Sequence, residues 1–160
     1  MVEMTMPELV SLDLPTEPYW LDLPRGVRVR VRPLDTAAMK AAEARSQRKV
    51  RELVTHVAGV REAGGDVTGL PDFGDPDIRA GLAEALFVEA LAEIGIVAWE
   101  GVKADLSKGS AAQLMRNPDI GPPFLAAYLA PAAAASAEGN GSAAGSDGTS
   151  GPGGNIAKGA

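Results

Sequence analysis

Few side chains in this chain have the type and spacing that catalysis or metal binding requires. His56 is the single histidine, and no nucleophile elbow lies near it, so a serine-based triad has no support. The glycines around residue 65 lack the frame of a phosphate-binding loop. Cysteine is absent, which excludes disulfides and thiolate metal sites.

A cluster of acids between the two longest predicted helices has another explanation. Asp72, Asp75 and Asp77 are spaced like calcium ligands, but the glycine and terminal glutamate of a calcium loop are missing. Capping of the helix that follows accounts better for Asp75 and Asp77. The sequence therefore predicts no catalytic residue, no metal and no cofactor, and a protein that is not an enzyme.

Charge is unevenly distributed along the chain, whose net charge is −6 at pH 7. Residues 25–61 carry ten bases and three acids, whereas residues 62–130 carry four bases and eleven acids. Such segments can pair within one fold or between copies of the chain, or simply form solvated faces of one helical domain. Because no aromatic residue follows Trp20 among the bases, and the net charge repels a polyanion, nucleic-acid binding is not expected.

The first third of the chain predicts a β-hairpin followed by a long helix. Tyr19–Leu23 and Val27–Arg32 alternate in side-chain character around a turn at Pro24–Gly26. A two-stranded hairpin is marginal alone, so its valine face should rest on a helix. Asp35 can cap a helix to about Ala63. The apolar stripe of its second half comprises Val50, Leu53, Val54, Val57 and Val60.

The second long helix is predicted to be the centre of the domain. Asp75 is its N-cap, and Pro76 fits its first turn. The helix should run to about Trp99, whose indole is expected to be buried. Its apolar residues wind around the axis, so other helices or another chain must cover it. Three of its acids fall together at helical spacing, namely Glu89, Glu93 and Glu100.

Two short helices and a tail complete the prediction. The helices are expected at Ser110–Asn117 and from Gly121 until Pro131 stops the second. Residues 131–160 contain one large apolar residue, Ile156, and cannot offset the entropy of ordering their backbone.

These patterns indicate a mainly α protein in three parts. They are an N-terminal arm (1–18), a β-hairpin plus helical domain (19–130) and a disordered low-complexity tail (131–160). No signal peptide is apparent, and the apolar-rich stretch Ile78–Trp99 holds too many charges to span a membrane. A membrane partner is therefore not expected.

Four pieces of the sequence resemble a known family in their order and spacing. Residues Gly95–Val102, GIVAWEGV, resemble the GI..WEGV signature of phage tail assembly chaperones from long, non-contractile-tailed phages and prophages. The downstream residues Asn117–Ile120, Phe124 and Tyr128 are similar to the family's ending. The family pattern is also matched by the upstream segment Val29–Leu34, the alanine-rich helix and the polar C-terminus. The resemblance therefore covers roughly residues 19–155.

The resemblance implies a non-catalytic virion-assembly factor in the cytoplasm of a bacterial host. Such chaperones bind the tape-measure protein and recruit tail-tube subunits during tail assembly. The implied partners are the tape-measure protein, the tail-tube protein and a frameshifted longer form of the same chain, and self-association stays open. The alternative is a structural head–tail adaptor or connector subunit that is retained in the virion.

The residues predicted to contact a partner lie on the second long helix and the final helix. The second helix is apolar on more sides than short neighbours can cover, which favours a groove for amphipathic tape-measure helices. The predicted lining residues are Leu82, Ile94, Phe124 and Tyr128. The competing interpretation is that they fill the domain's own core, in which case the arginines of the hairpin are the next candidate surface.

Overall fold

Seven regular elements make up residues 12–139, the part of the chain that the computed structural model describes. In chain order they are β1 Tyr19–Asp22, β2 Arg28–Val31, α1 Thr36–Glu62, α2 Pro76–Gly95, β3 Ile96–Glu100, α3 Lys108–Met115 and α4 Gly121–Gly139, with a short 3-10 turn at Pro24–Gly26. The predicted class, a mainly helical domain with an N-terminal hairpin, is confirmed. The tail from residue 140 lies outside the described residues.

The hairpin gains a third strand that the sequence did not predict. β1, β2 and β3 form an antiparallel sheet in that order, and Val29 in the central strand lies opposite Trp99 in β3. Val29 and Val31 are fully buried, whereas Arg28 and Arg30 alternate with them on the exposed face. The valine face therefore packs into the core, as expected for a hairpin that needs cover.

The second long helix is shorter than predicted, and its extension to Trp99 was wrong. The helix ends at Gly95, after which Ile96 has extended backbone angles. Ile96 and Val97 are β-branched and Trp99 is aromatic, so they favour a strand, and β2 offers backbone partners for them. Trp99 is half-buried rather than buried, and its indole N–H donates to the Ala104 carbonyl at 3.0 Å.

Of the three acids predicted to cluster on this helix, Glu100 lies on β3, whereas Glu89 and Glu93 stay four residues apart on α2. Each has a basic partner from elsewhere in the fold. The N···O distances are 3.2 Å for Arg116–Glu89, 3.6 Å for Arg45–Glu93, 3.4 Å for Lys49–Glu93 and 3.5 Å for Arg28–Glu100. Part of the basic segment thus pairs with the acidic segment inside one chain.

Helix starts follow local capping signals. The Asp35 carboxylate accepts from the Ala38 amide at 2.8 Å, and the Asp75 carboxylate caps α2 in the same way. α3 begins before the predicted Ser110, because Ser107 and Ser110 form a reciprocal capping box.

The last helix does not stop at Pro131, so that boundary is corrected. α4 continues through Pro131 to Gly139. An internal proline removes one backbone hydrogen bond and crowds the preceding turn. The alanines that follow Pro131 have the highest helix propensity and favour continuation of the helix.

The core is built around α2 within the compact unit Pro15–Leu129. α2 packs against both α1 and α3. Its residues Ala90, Leu91 and Ala92 are fully buried. The prediction that this helix is central is therefore confirmed.

Truncating the centre of α2 should be costly. We expect Leu91→Ala to lower the free energy of unfolding by about 2–5 kcal/mol, because it leaves a cavity among fully buried neighbours. Val54→Ala, at a position 41% exposed on α1, should change it by less than about 0.5 kcal/mol. Urea unfolding followed by circular dichroism measures both, and equal effects would contradict the assignment of the core.

Candidate partner-binding site

The four residues predicted to line a groove are not brought together on the surface. Phe124 and Tyr128 are almost completely buried, with ring centroids 5.3 Å apart. Ile94 is partly buried against the same core. Leu82 lies at a surface depression beside the loop that precedes α2. Phe124 and Tyr128 are therefore core residues, as the competing interpretation had it, and do not line an open groove.

Tyr128 instead joins three elements at one point. Its hydroxyl donates to the Arg32 carbonyl at 2.7 Å, and the Arg32 amide donates to the Gly95 carbonyl at 2.8 Å. The tyrosine ring packs where Gly95 has no side chain. Burial raises the pKa of Tyr128 to about 12, because the phenolate would lose its hydration. We call Tyr128, Arg32 and Gly95 the Tyr128 junction.

The two glycines of the GIVAWEGV motif, Gly95 and Gly101, have structural explanations. Gly95 must lack a side chain to admit the Tyr128 ring. Gly101 has φ +83° and lies against the Gly26 carbonyl of the hairpin turn, so both its conformation and its surroundings favour glycine. Between them lies Trp99, which bonds the loop after β3. The signature therefore marks where β3 is attached to the fold, not a ligand site.

Adding one methyl group at the junction tests this packing. A Cβ at residue 95 would lie closer than 3.0 Å to the Tyr128 ring and hydroxyl. We expect Gly95→Ala to destabilise the protein by about 1–3 kcal/mol. The matched control is Gly59→Ala in α1, where the new methyl meets no atom within 4 Å and should stabilise by about 0.4–1 kcal/mol. Denaturant unfolding should give opposite signs, and stabilisation by both substitutions would refute the close approach.

The raised pKa of Tyr128 predicts how stability depends on alkaline pH. The unfolded phenol ionises near its ordinary pKa of 10.0, whereas the folded phenol keeps its proton to about 12. The unfolded state therefore binds fewer protons in that window, and the free energy of unfolding falls as pH rises from 10 to 12.

Tyr128→Phe isolates this contribution. Below pH 10 it should cost about 1–3 kcal/mol, because the Arg32 carbonyl loses the part-buried hydrogen bond from the hydroxyl. Between pH 10 and 12 its stability should fall less steeply than that of the wild type. Tyr19, whose pKa burial also raises, is present in both proteins, so both should lose some stability in this range. Parallel unfolding curves measured at several pH values would contradict the assignment.

Two depressions follow one exposed face of α2 and meet at Gly81. The first, of about 520 Å³, lies between α2 and the preceding loop, and the second, of about 430 Å³, lies between α2 and the start of α4. We call them together the α2 groove. Its apolar lining residues are Leu70, Pro71, Ile78, Leu82, Ala85, Val88, Met115, Pro118, Pro122 and Leu125.

The groove is wide at its middle because no side chain stands there. A Cβ at Gly81 would meet no atom within 4 Å. Glycine inside a helix costs about 1 kcal/mol relative to alanine, so the open space there comes with some loss of stability. Glu84 and Arg116 lie at its edge, and Arg116 also bonds the buried Glu89 at 3.2 Å. The arrangement combines an apolar floor with two acids, Asp77 and Glu84, and one base, Arg116.

The α1 stripe beside the groove is only partly covered. Of its five residues, Val57 is buried and Val54 is 41% exposed, while the other three are intermediate. Ile78, at the start of α2, is 46% exposed. Sequence periodicity found this stripe but could not show how much of it neighbouring elements cover.

Comparisons with known proteins found no matching protein family, curated protein or solved structure. Within residues 12–139, no group of three or more histidine, aspartate or glutamate side chains could hold a metal ion. In the same range, no helix has the length and apolar character needed to cross a bilayer.

Proposed function

We propose that this protein is a non-catalytic phage tail assembly chaperone that binds amphipathic helices of the tape-measure protein in the α2 groove. The observation that carries the proposal is the exposed apolar groove along α2. The order of the motifs around Gly95–Val102 and Phe124–Tyr128 supports the proposal that the chain belongs with the tail assembly chaperones. The proposed place of action is the host cytoplasm.

The dimensions of the groove suit a short stretch of helix. Ile78 and Val88 are ten residues apart on α2, which corresponds to about 15 Å along the axis. A client helix of similar length presents an apolar residue on nearly every turn, at spacings of three and four. Glu84 and Arg116 at the edge can then orient charged residues on the flank of that helix.

An apolar floor without many polar groups makes the site tolerant of sequence. Hydrogen-bonded pockets reject ligands that leave their polar groups unpaired, whereas an apolar floor accepts many aliphatic side chains. Only about 15 Å of a client helix lies along the groove, and small interfaces bind weakly and reversibly. Both properties fit a chaperone that covers successive segments of a long client and then leaves.

Gly81 offers a direct test of the groove. We expect Gly81→Trp to place an indole in the open space and weaken binding of tape-measure fragments by about tenfold or more. Gly81→Ala should keep the affinity, because a methyl group leaves most of the groove open. Titration calorimetry with purified fragments measures the affinities.

Gly59→Trp is the matched control, because residue 59 is also an exposed helical glycine with open space above it. It should bind fragments like the wild type. Equal affinity of folded Gly81→Trp and wild type would move the client site elsewhere. Recovery of this chain from purified virions would instead favour the head–tail adaptor.

A further inference from the structure

The outer face of the sheet carries an exposed tryptophan beside arginines. Trp20 on β1 is 37% exposed and lies opposite Arg30 on β2, which in turn lies opposite Ala98 on β3. Directly opposed residues share a face, so these three side chains form a row across the sheet. Arg32 follows β2 and is exposed, so the alternation of β2 continues. We call Trp20, Arg30, Arg32 and Ala98 the outer sheet face.

The neighbouring arginine on the same face, Arg28, is already neutralised and contacts the tryptophan. Arg28 bonds Asp22 at 2.7 Å and lies 3.5 Å from Glu100, so its charge is shared between both edge strands. Its guanidinium carbon is 4.9 Å from the centroid of the Trp20 ring. A cation over an indole is an attractive contact that limits the orientations of the ring. Trp20 is therefore preorganised at the surface.

Arg30 and Arg32 carry charge that no acid in the described part of the chain neutralises. Arg30 and Arg32 form no ion pair with any acid among residues 12–139, whereas Arg25, Arg28, Arg45 and Lys49 all do. Ala98 is small, which leaves room beside Arg30 for an incoming group. Two free guanidinium groups next to a fixed indole complement an acidic ligand.

We propose that the outer sheet face binds an acidic segment of a partner protein. Arg30 and Arg32 pair with two carboxylates, each arginine being able to form two parallel hydrogen bonds to a carboxylate. Residues two apart on a strand are separated by roughly 7 Å, which matches glutamates at i and i+2 in an extended segment. An aliphatic residue beside them packs on Trp20. Tryptophan and arginine are also the residues that dominate protein interfaces.

The acids on the same face favour a short acidic peptide over a nucleic acid. Asp22 and Glu100 lie at one end of the sheet, so a long polyanion crossing it would meet like charges. A segment with only two carboxylates avoids them. The site shares no residue with the α2 groove and is independent of the function proposed for it.

The probe is a fluorescein-labelled peptide Leu-Glu-Val-Glu-Leu, compared with its glutamine version and with a single-stranded oligonucleotide of similar length. We expect the glutamate peptide to bind, and to bind about tenfold more weakly to Arg30→Gln and to Trp20→Ala. Arg51→Gln removes another exposed arginine, on α1, that forms no ion pair within residues 12–139, and it should leave the affinity unchanged. Raising the salt concentration should weaken binding, because the contact is ionic and exposed.

The two tryptophans of the chain provide an internal readout of the location. On addition of the peptide, the NMR signal of the Trp20 indole N–H should shift, and that of Trp99, which bonds the Ala104 carbonyl, should not. Gly81→Trp should keep the peptide affinity, which separates this site from the α2 groove. The proposal is overturned if the glutamate peptide fails to bind the wild type, if Arg30→Gln binds it equally well, or if the oligonucleotide binds more tightly.

Discussion

The fold depends on the Tyr128 junction, where one buried hydroxyl connects the last helix to the sheet beneath the end of α2. Tyr128 reaches the Arg32 carbonyl because Gly95 leaves space for its ring, and the Arg32 amide in turn satisfies the Gly95 carbonyl. A buried carbonyl or amide without a partner costs about 1–3 kcal/mol, so each of these groups constrains the other two. The position at which α2 ends and β3 begins follows from this closed set of contacts.

The junction has a consequence for the partner surface at the other end of α2. Because its C-terminal half is held by the sheet, α3 and the ring of Tyr128, the helix buries Leu91 completely and has a defined direction. Its N-terminal half extends past these neighbours and is mostly exposed. The α2 groove is therefore a surface that the packed core holds in place without covering. Rigid placement of an apolar surface reduces the entropy cost of binding a client there.

Charge divides the same molecule into paired and unpaired regions. Glu93 receives both Arg45 and Lys49 where α1 crosses α2, and Glu89 is buried with Arg116 as its partner. Only Glu89 is buried in this pair and Arg116 is exposed, so removing Arg116 would leave a buried carboxylate without its counter-ion. On the outer sheet face, by contrast, Arg30 and Arg32 have no acidic partner among residues 12–139, and Arg30 lies opposite an exposed indole. The contrast separates charges that hold helices together from charges available to a second molecule.

Local signals in the sequence determined the hairpin, the starts of the helices and the mainly helical class. Asp35 and Asp75 cap helices through atoms within three residues of themselves, and the alternation around Val29 follows from the geometry of a single strand. Helical periodicity also identified α2 as central and Leu82 as a groove residue.

Tertiary structure alone decided the elements whose partners are distant in the chain. Ile96–Glu100 becomes a strand because β2, more than sixty residues earlier, supplies its hydrogen bonds, and a window of local sequence contains no record of that partner. The same holds for Phe124 and Tyr128, whose apolar spacing suits a core and a groove equally well. The packed elements decide which surfaces stay uncovered, and so they decide the burial of these two rings and the exposure of the groove and of Arg30. That is a property of the assembled fold and not of any one segment.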